Sequence, residues 1–214
     1  IKKDIDTVCF ANGDYNIKDN SFTTETEITP NRLAVNYNPS APSPEKWLRF
    51  LDELFYEEDI RTIRQYLGYC MIPTTIGQFM LLIIGKGGEG KSVIGNVIEA
   101  VFGNSSARMK ISTLVSNRFA LAMLENKLVM NDDDMQLAAL KETDLIKNLI
   151  TNEGKMVMEN KHGPFHEGDI YARVIAFANG TLDALYDKSE GYRRRQLIIR
   201  VKDKSPDRVD NKLL

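Results

Sequence analysis

Residues 79 to 84 read Phe-Met-Leu-Leu-Ile-Ile, an uninterrupted apolar run. Such a run predicts a strand buried on both faces. The period then changes: Val93, Ile94, Val97, Ile98 and Val101 recur at helical spacing. Downstream, the pattern predicts a helix at about 113–124, a strand at 127–131 and a helix at about 138–150. A β-hairpin over 155–167 follows, then strands at 171–178 and 197–201. Helices alternating with all-apolar strands predict an α/β core with a mostly parallel sheet covered on both faces.

The first 43 residues follow another pattern. Two short β-like runs flank Asn12-Gly13, a hairpin signal, and a Thr-rich β-prone stretch leads to a linker with Pro39, Pro42 and Pro44. Ser43-Pro44 reads as an N-cap and first helical position. The next helix gathers Trp47, Phe50, Leu51 and Leu54 on one face. A second, about 59–67, gathers Ile60, Ile63 and Leu67 and is expected to stop at Gly68. The chain divides into a β-rich segment and linker (1–43), a small helical unit (44–76), the nucleotide core (77–202) and a tail (203–214).

Composition narrows the class. The 214 residues are 43% hydrophobic and 27% charged, ordinary for a soluble globule. No apolar run approaches the roughly 20 residues of a membrane span. The opening IKKDIDTVCF has neither an initiator Met nor a signal-peptide pattern, so the chain reads as part of a longer protein. Cys9 and Cys70 lack metal spacing and are expected to be buried free thiols in a reducing compartment, the cytoplasm. With a net charge of −2, a nucleic-acid site must be a local basic patch.

The chemistry starts at GKGGEGKS, residues 85–92. It fits the phosphate-loop pattern with Gly85, Gly90, Lys91 and Ser92. Glycines let successive N–H groups curl around phosphate oxygens. Gly85, Gly87, Gly88, Gly90, Lys91, Ser92 and Val93 form the expected nucleotide-contacting set. Lys91 would reach the β- and γ-phosphates of ATP, and the Ser92 hydroxyl would ligate Mg²⁺.

About 40 residues later a short apolar strand delivers Asp132, Asp133 and Asp134. An acid there can hold Mg²⁺, and the next can orient the attacking water. Asp133 and Asp134 are the favoured pair, Asp133 on the metal, with Asp132 in reserve. An acidic turn capping the next helix is the alternative. Asn179 ends an apolar strand, where its amide could bond the γ-phosphate or the lytic water, or simply make an Asn-Gly turn. Arg193, Arg194 and Arg195 precede the last strand, where a guanidinium could complete a neighbouring subunit's site. Lys161 and His162 ride on the hairpin tip, suited to nucleic-acid phosphates or to a solvated turn.

The ordered set GKGGEGKS, KLVMNDDDM, MENKHGPF, VIAFAN and GYRRRQLII resembles the superfamily 3 helicases. It is most similar to the helicase part of phage, plasmid and poxvirus primase-helicases. FANGDYNI and YLGYC also look like the family's upstream segments. The resemblance implies an AAA+-like ATPase, an ATP hydrolase forming a ring, usually a hexamer, that moves along single-stranded or forked DNA. By the same resemblance Lys91 and Ser92 contact nucleotide and Mg²⁺, Asp133 and Asp134 are the acid pair, and Asn179 is the sensor. Arg194 or Arg195 is the trans-acting arginine, Lys161 and His162 contact DNA in the pore, and a primase module belongs to the full-length chain. A phage or plasmid origin would place the protein in a bacterial host's cytoplasm. The alternatives are a nucleotide-gated loading ATPase that binds DNA without unwinding it, or a phosphate-loop kinase or GTPase. A GTPase would want Asn-Lys-x-Asp, and NKLV, NKHG and NKLL all lack the Asp.

Overall fold

The apolar run becomes strand β4 (Met80–Gly85), every residue of it buried. Its neighbours explain this burial. The computed structural model describes residues 4–136, 144–151, 155–161, 163–180 and 190–203. Within them β4 lies between β9 (Arg173–Asn179) and β10 (Gln196–Arg200), and β6 (Val129–Met135) and β5 (Ser106–Arg108) extend the sheet. The order is β10-β4-β9-β6-β5, with every adjacent pair parallel. Both faces of β4 are covered. Leu81 and Ile83 pack with Ile94, Ile98 and Phe102 of α3 (Lys91–Phe102). Met80, Leu82 and Ile84 face α4 (Ile111–Ser116) and α5 (Asp144–Thr151), through Ile111, Leu114, Ile146 and Leu149. A continuous apolar run is the pattern such two-sided burial requires.

The helix expected at 113–124 is divided. α4 ends at Ser116, and a short 3₁₀ turn follows at Leu121–Leu124. Asn117 causes the break: its Oδ1 accepts the Phe119 N–H at 3.0 Å, offering the backbone an alternative to the helix. The strand expected at 127–131 starts later and runs through the acids to Met135. β5, too short and polar for periodicity to reveal, forms the sheet's edge. Of the helix expected at 138–150, residues 138–143 lie outside the described residues. The hairpin appears as β7 (Lys155–Glu159) and β8 (Phe165–Asp169).

Upstream, β1 (Thr7–Phe10), β2 (Gly13–Asn16) and β3 (Ser21–Thr23) form an antiparallel sheet. Phe10 pairs with Gly13, so the turn is Ala11-Asn12 and not Asn12-Gly13. α1 (Glu45–Leu54) begins one residue after Pro44, and Ser43 makes no side-chain cap. α2 (Glu57–Tyr69) runs through Gly68, whose cost of about 1 kcal/mol is small against the anchoring of buried Ile63 and Tyr66. This upstream part shares a core with the main sheet. Val8, Leu33, Phe50, Leu54 and Ile63 pack in one cluster with Ile83 and Ile98. Cys70 is buried but Cys9 only half-buried, both as free thiols. Burial pushes each thiol up to about 11, with Asp14 adding to the effect at Cys9.

A buried guanidinium pins α2 to the sheet. Arg173 is 2% exposed and lies over the Tyr69 ring. It donates to Thr74 O at 3.0 Å, to Tyr171 O at 2.7 Å and to Cys70 O at the C-terminal end of α2. Carbonyls and a helix's negative end are what hold this cation. Arg173→Met is expected to cost roughly 3 kcal/mol, because the carbonyls lose a charged donor inside the protein. A lower urea midpoint with an unchanged slope is the measurement.

Among the described residues, no helix is long and apolar enough to cross a membrane.

Candidate functional site

The loop after β4 curls because Gly87, Gly88 and Gly90 adopt φ of 106°, 80° and 95°, values that side-chain-bearing residues rarely take. The N–H groups of Lys86 and Gly87 then point inward. They converge on the Glu89 carboxylate, which also accepts from Lys91 Nζ at 2.8 Å. Glu89 and Lys91 are each 8% exposed. Burial raises the Glu89 carboxyl, but hydrogen bonds from Lys91 and the loop backbone outweigh it and hold the group below its ordinary value. The loop is therefore an anion cradle whose donors are already aimed. At position 90 the backbone and not packing calls for glycine: a Cβ there would meet the Phe50 ring of α1 at 3.4 Å, an ordinary contact.

Asn179 lies beside the loop. Its Cα pairs with Gly85, and its Oδ1 would be 3.8 Å from a Cβ on Gly87. Ser92 and Val93 are in the first turn of α3. Sheet order alone brings Lys91 and Asn179 together: β9 was the eighth strand-forming segment to be met along the chain after β1, yet it pairs directly with β4.

The three acids separate. Asp132 is 1% exposed, and its carboxylate accepts the Ile111 N–H at 2.7 Å and the Asp134 N–H at 3.2 Å. Burial pushes its carboxyl above the ordinary value despite those bonds. Between Asp132 and Met135 the register with β9 shifts, a bulge that re-aims the side chains. Asp133 has a carboxylate oxygen 3.7 Å from Arg108, which also contacts Glu99 at 2.6 Å and Asn96 at 3.0 Å, both on α3. Asp134 is exposed, 3.5 Å from Lys110. Arg108 had no signal in the sequence, since it lies on the edge strand that periodicity missed.

The arginines are at the opposite end of the strands. Arg195 O accepts the Met80 N–H at 2.9 Å, at the start of β4. The five steps from Met80 to Gly85 make about 16 Å of strand, so the run does not reach its own loop. Arg193, in α6 (Glu190–Arg193), and Arg194 are exposed. Arg195 is partly tied, donating to Gly191 O at 2.5 Å.

The hairpin carries Lys161 exposed at its tip, and His162 lies outside the described residues. Lys161 and Asn160 share a hollow of about 600 Å³ with Asn117, Phe119, Ala122 and Met123. Arg118 lies over the Phe119 ring at 4.7 Å and pairs with Glu159 at 3.3 Å. Phe119 and Arg118 were missed in the sequence. An aromatic beside a basic residue was the available signal. His166 pairs with Glu125 at 3.2 Å. Among the described residues, no group of three or more His, Cys, Asp or Glu is arranged for a metal. Mg²⁺ at a nucleotide needs only one or two protein groups beside phosphate oxygens and water, fewer than such a group contains.

Residues 83–195 match the family described as a family of unknown function (DUF5906). Residues 1–56 match the family described as D5 N terminal like, in agreement with the resemblance to primase-helicases. No curated protein matches. Among solved structures, the A-form apo structure of the NrS-1 C terminal region is 21% identical with a TM-score of 0.59, over 76% of this chain and 39% of that one. A second apo structure of that region is 19% identical with a TM-score of 0.61, over 77% and 40%. This chain thus spans about two fifths of those chains, and the likeness establishes a shared fold.

Proposed function

The chain belongs to the DUF5906 family, and from the arrangement of its site we propose that it is the motor part of an ATP-dependent DNA helicase working as a ring. The observation that carries this reading is the anion cradle at one end of β4 with the arginine run at the other. A loop that holds a carboxylate between backbone N–H groups and a buried ammonium has the donor set for a phosphate. Ser92 and Asp133 would hold Mg²⁺, which neutralises charge on the phosphoryl group in transfer. Asn179, against the loop, would orient water or bond the γ-phosphate. An arginine too far from its own loop suits a neighbour's loop, so sites form between subunits. Arg194, exposed and with no side-chain partner among the described residues, is the better candidate than Arg195. The boundaries at residues 43, 76 and 202 are part of the proposal, as are the hexameric ring and a primase module elsewhere in the full-length protein.

DNA would run past the hairpin tip. Lys161 offers a phosphate contact, and Phe119 with Arg118 offers a stacking face. Lys161→Ala is expected to weaken single-stranded DNA binding by about tenfold or more per ring and to flatten its salt dependence, since fewer counterions are released. DNA titrations across a salt series measure both, and equal slopes would move the DNA path elsewhere. Strand displacement on a forked duplex tests the whole reading. ATP- and DNA-dependent turnover without displacement would favour the loading ATPase.

A further inference from the structure

We propose that Glu89 is a tethered anion that competes with the nucleotide's phosphates for the cradle and so sets nucleotide affinity. The proposal rests on the reading that the loop binds a nucleoside polyphosphate. The loop pattern leaves position 89 open to any residue, and this chain places a carboxylate there. Three positive-φ glycines turn the segment so that this side chain folds inward instead of reaching solvent. Its oxygens take the N–H of Gly87 at 2.9 and 3.0 Å, the N–H of Lys86, and the Lys91 ammonium at 2.8 Å. An oxygen of Glu89 and the nitrogen of Lys91 would each lie 2.6 Å from a Cβ on Gly85, so the contact fills the floor of the loop. These are the donors a β- or γ-phosphate would use. Two anions cannot share them at such distances, so a phosphate must expel the carboxylate before it is bound.

The exchange has a defined cost. The departing carboxylate gives up charge-assisted hydrogen bonds to a buried ammonium and two amides, and a triphosphate, with more charge and more oxygens, replaces them. That cost belongs to the free loop and is the same for any phosphate that must take its donors. Glu89 is thus expected to lower affinity for diphosphate and triphosphate by a similar factor. The same contact neutralises Lys91, so removing it destabilises the protein by itself.

The test compares parent, Glu89→Gln and Lys91→Ala by titration with a fluorescent ADP and a fluorescent ATP analogue, each with Mg²⁺, and by thermal unfolding without nucleotide. Glu89→Gln keeps size and loses charge. Expected are tighter binding by about tenfold, or about 1.4 kcal/mol, for ADP and ATP alike, and a lower unfolding temperature. A residue that merely shaped the loop would move binding and stability in the same direction. Should Glu89→Gln fail to fold, Glu89→Asp carries the comparison, because the shorter arm keeps the charge but retracts it from the cradle. Unchanged or weaker binding in the glutamate variant, with Lys91→Ala much weakened, would overturn the competition and leave the nucleotide reading standing. Undiminished binding by Lys91→Ala would overturn both.

Discussion

Lys91→Ala is expected to reduce ATP turnover by roughly 10³-fold or more. The ammonium is buried, 2.8 Å from an anion that occupies the loop, and no other cation was found inside the cradle among the described residues. In a site shielded from water, a charge of this kind counts for more than on the surface. Turnover is lost because charge builds on the phosphate oxygens as the bond breaks, and this group is placed to meet it. The substitution also leaves the Glu89 carboxylate buried without its partner, so the variant's unfolding temperature must be measured beside its rate. Phosphate release at saturating MgATP and DNA is the readout. A folded variant that hydrolysed ATP at the parent rate would remove the loop from the mechanism.

Arg194→Ala is expected to lower turnover by about 10³-fold, the scale of an arginine supplied in trans to a phosphoryl transfer. It should recover partly when mixed with Lys91→Ala protein. The reason is geometric. The run begins where β4 begins, Met80 N–H bonding to Arg195 O, whereas the loop follows Gly85 at the other end of the strand. Each variant spoils one half of an interface, and a mixed ring contains interfaces with both halves intact. Activity per subunit of the parent should rise with protein concentration for the same reason. Absence of recovery at every ratio, in rings shown by mass to be mixed, would end the trans assignment. Arg195→Ala is expected to recover less, because Arg195 also holds Gly191 and its loss disturbs α6 in its own subunit.

Local pattern located the elements whose burial is complete. The runs at 80–84 and 174–178 have no polar face, and only a strand enclosed on both sides satisfies such a run. The loop was legible because its chemistry is contiguous: backbone curvature, lysine and hydroxyl come from eight adjacent residues. The short edge strand β5 and Arg108 were not, because three half-exposed residues carry no period. Nor was the end of α4, which one side-chain bond at Asn117 decides.

The acids show where sequence stops. Three adjacent aspartates are equivalent as text. In the fold Asp132 is spent on the Ile111 and Asp134 amides, while the bulge leaves Asp133 beside α3 through Arg108 and Asp134 in solvent. That division depends on the register of β6 against β9, which is set by packing across the sheet.

From its sequence alone the chain specifies an α/β core, an anion-binding loop at residue 85 and the apolar strands that carry it, because each depends on neighbours a few positions away. Only the tertiary structure places Asn179 against that loop, separates the arginines from it by the length of a strand, and sets Glu89 in the cradle with Lys91. Those relations join residues up to about a hundred positions apart, or turn on which way one side chain folds, and both are decided by strand order and packing.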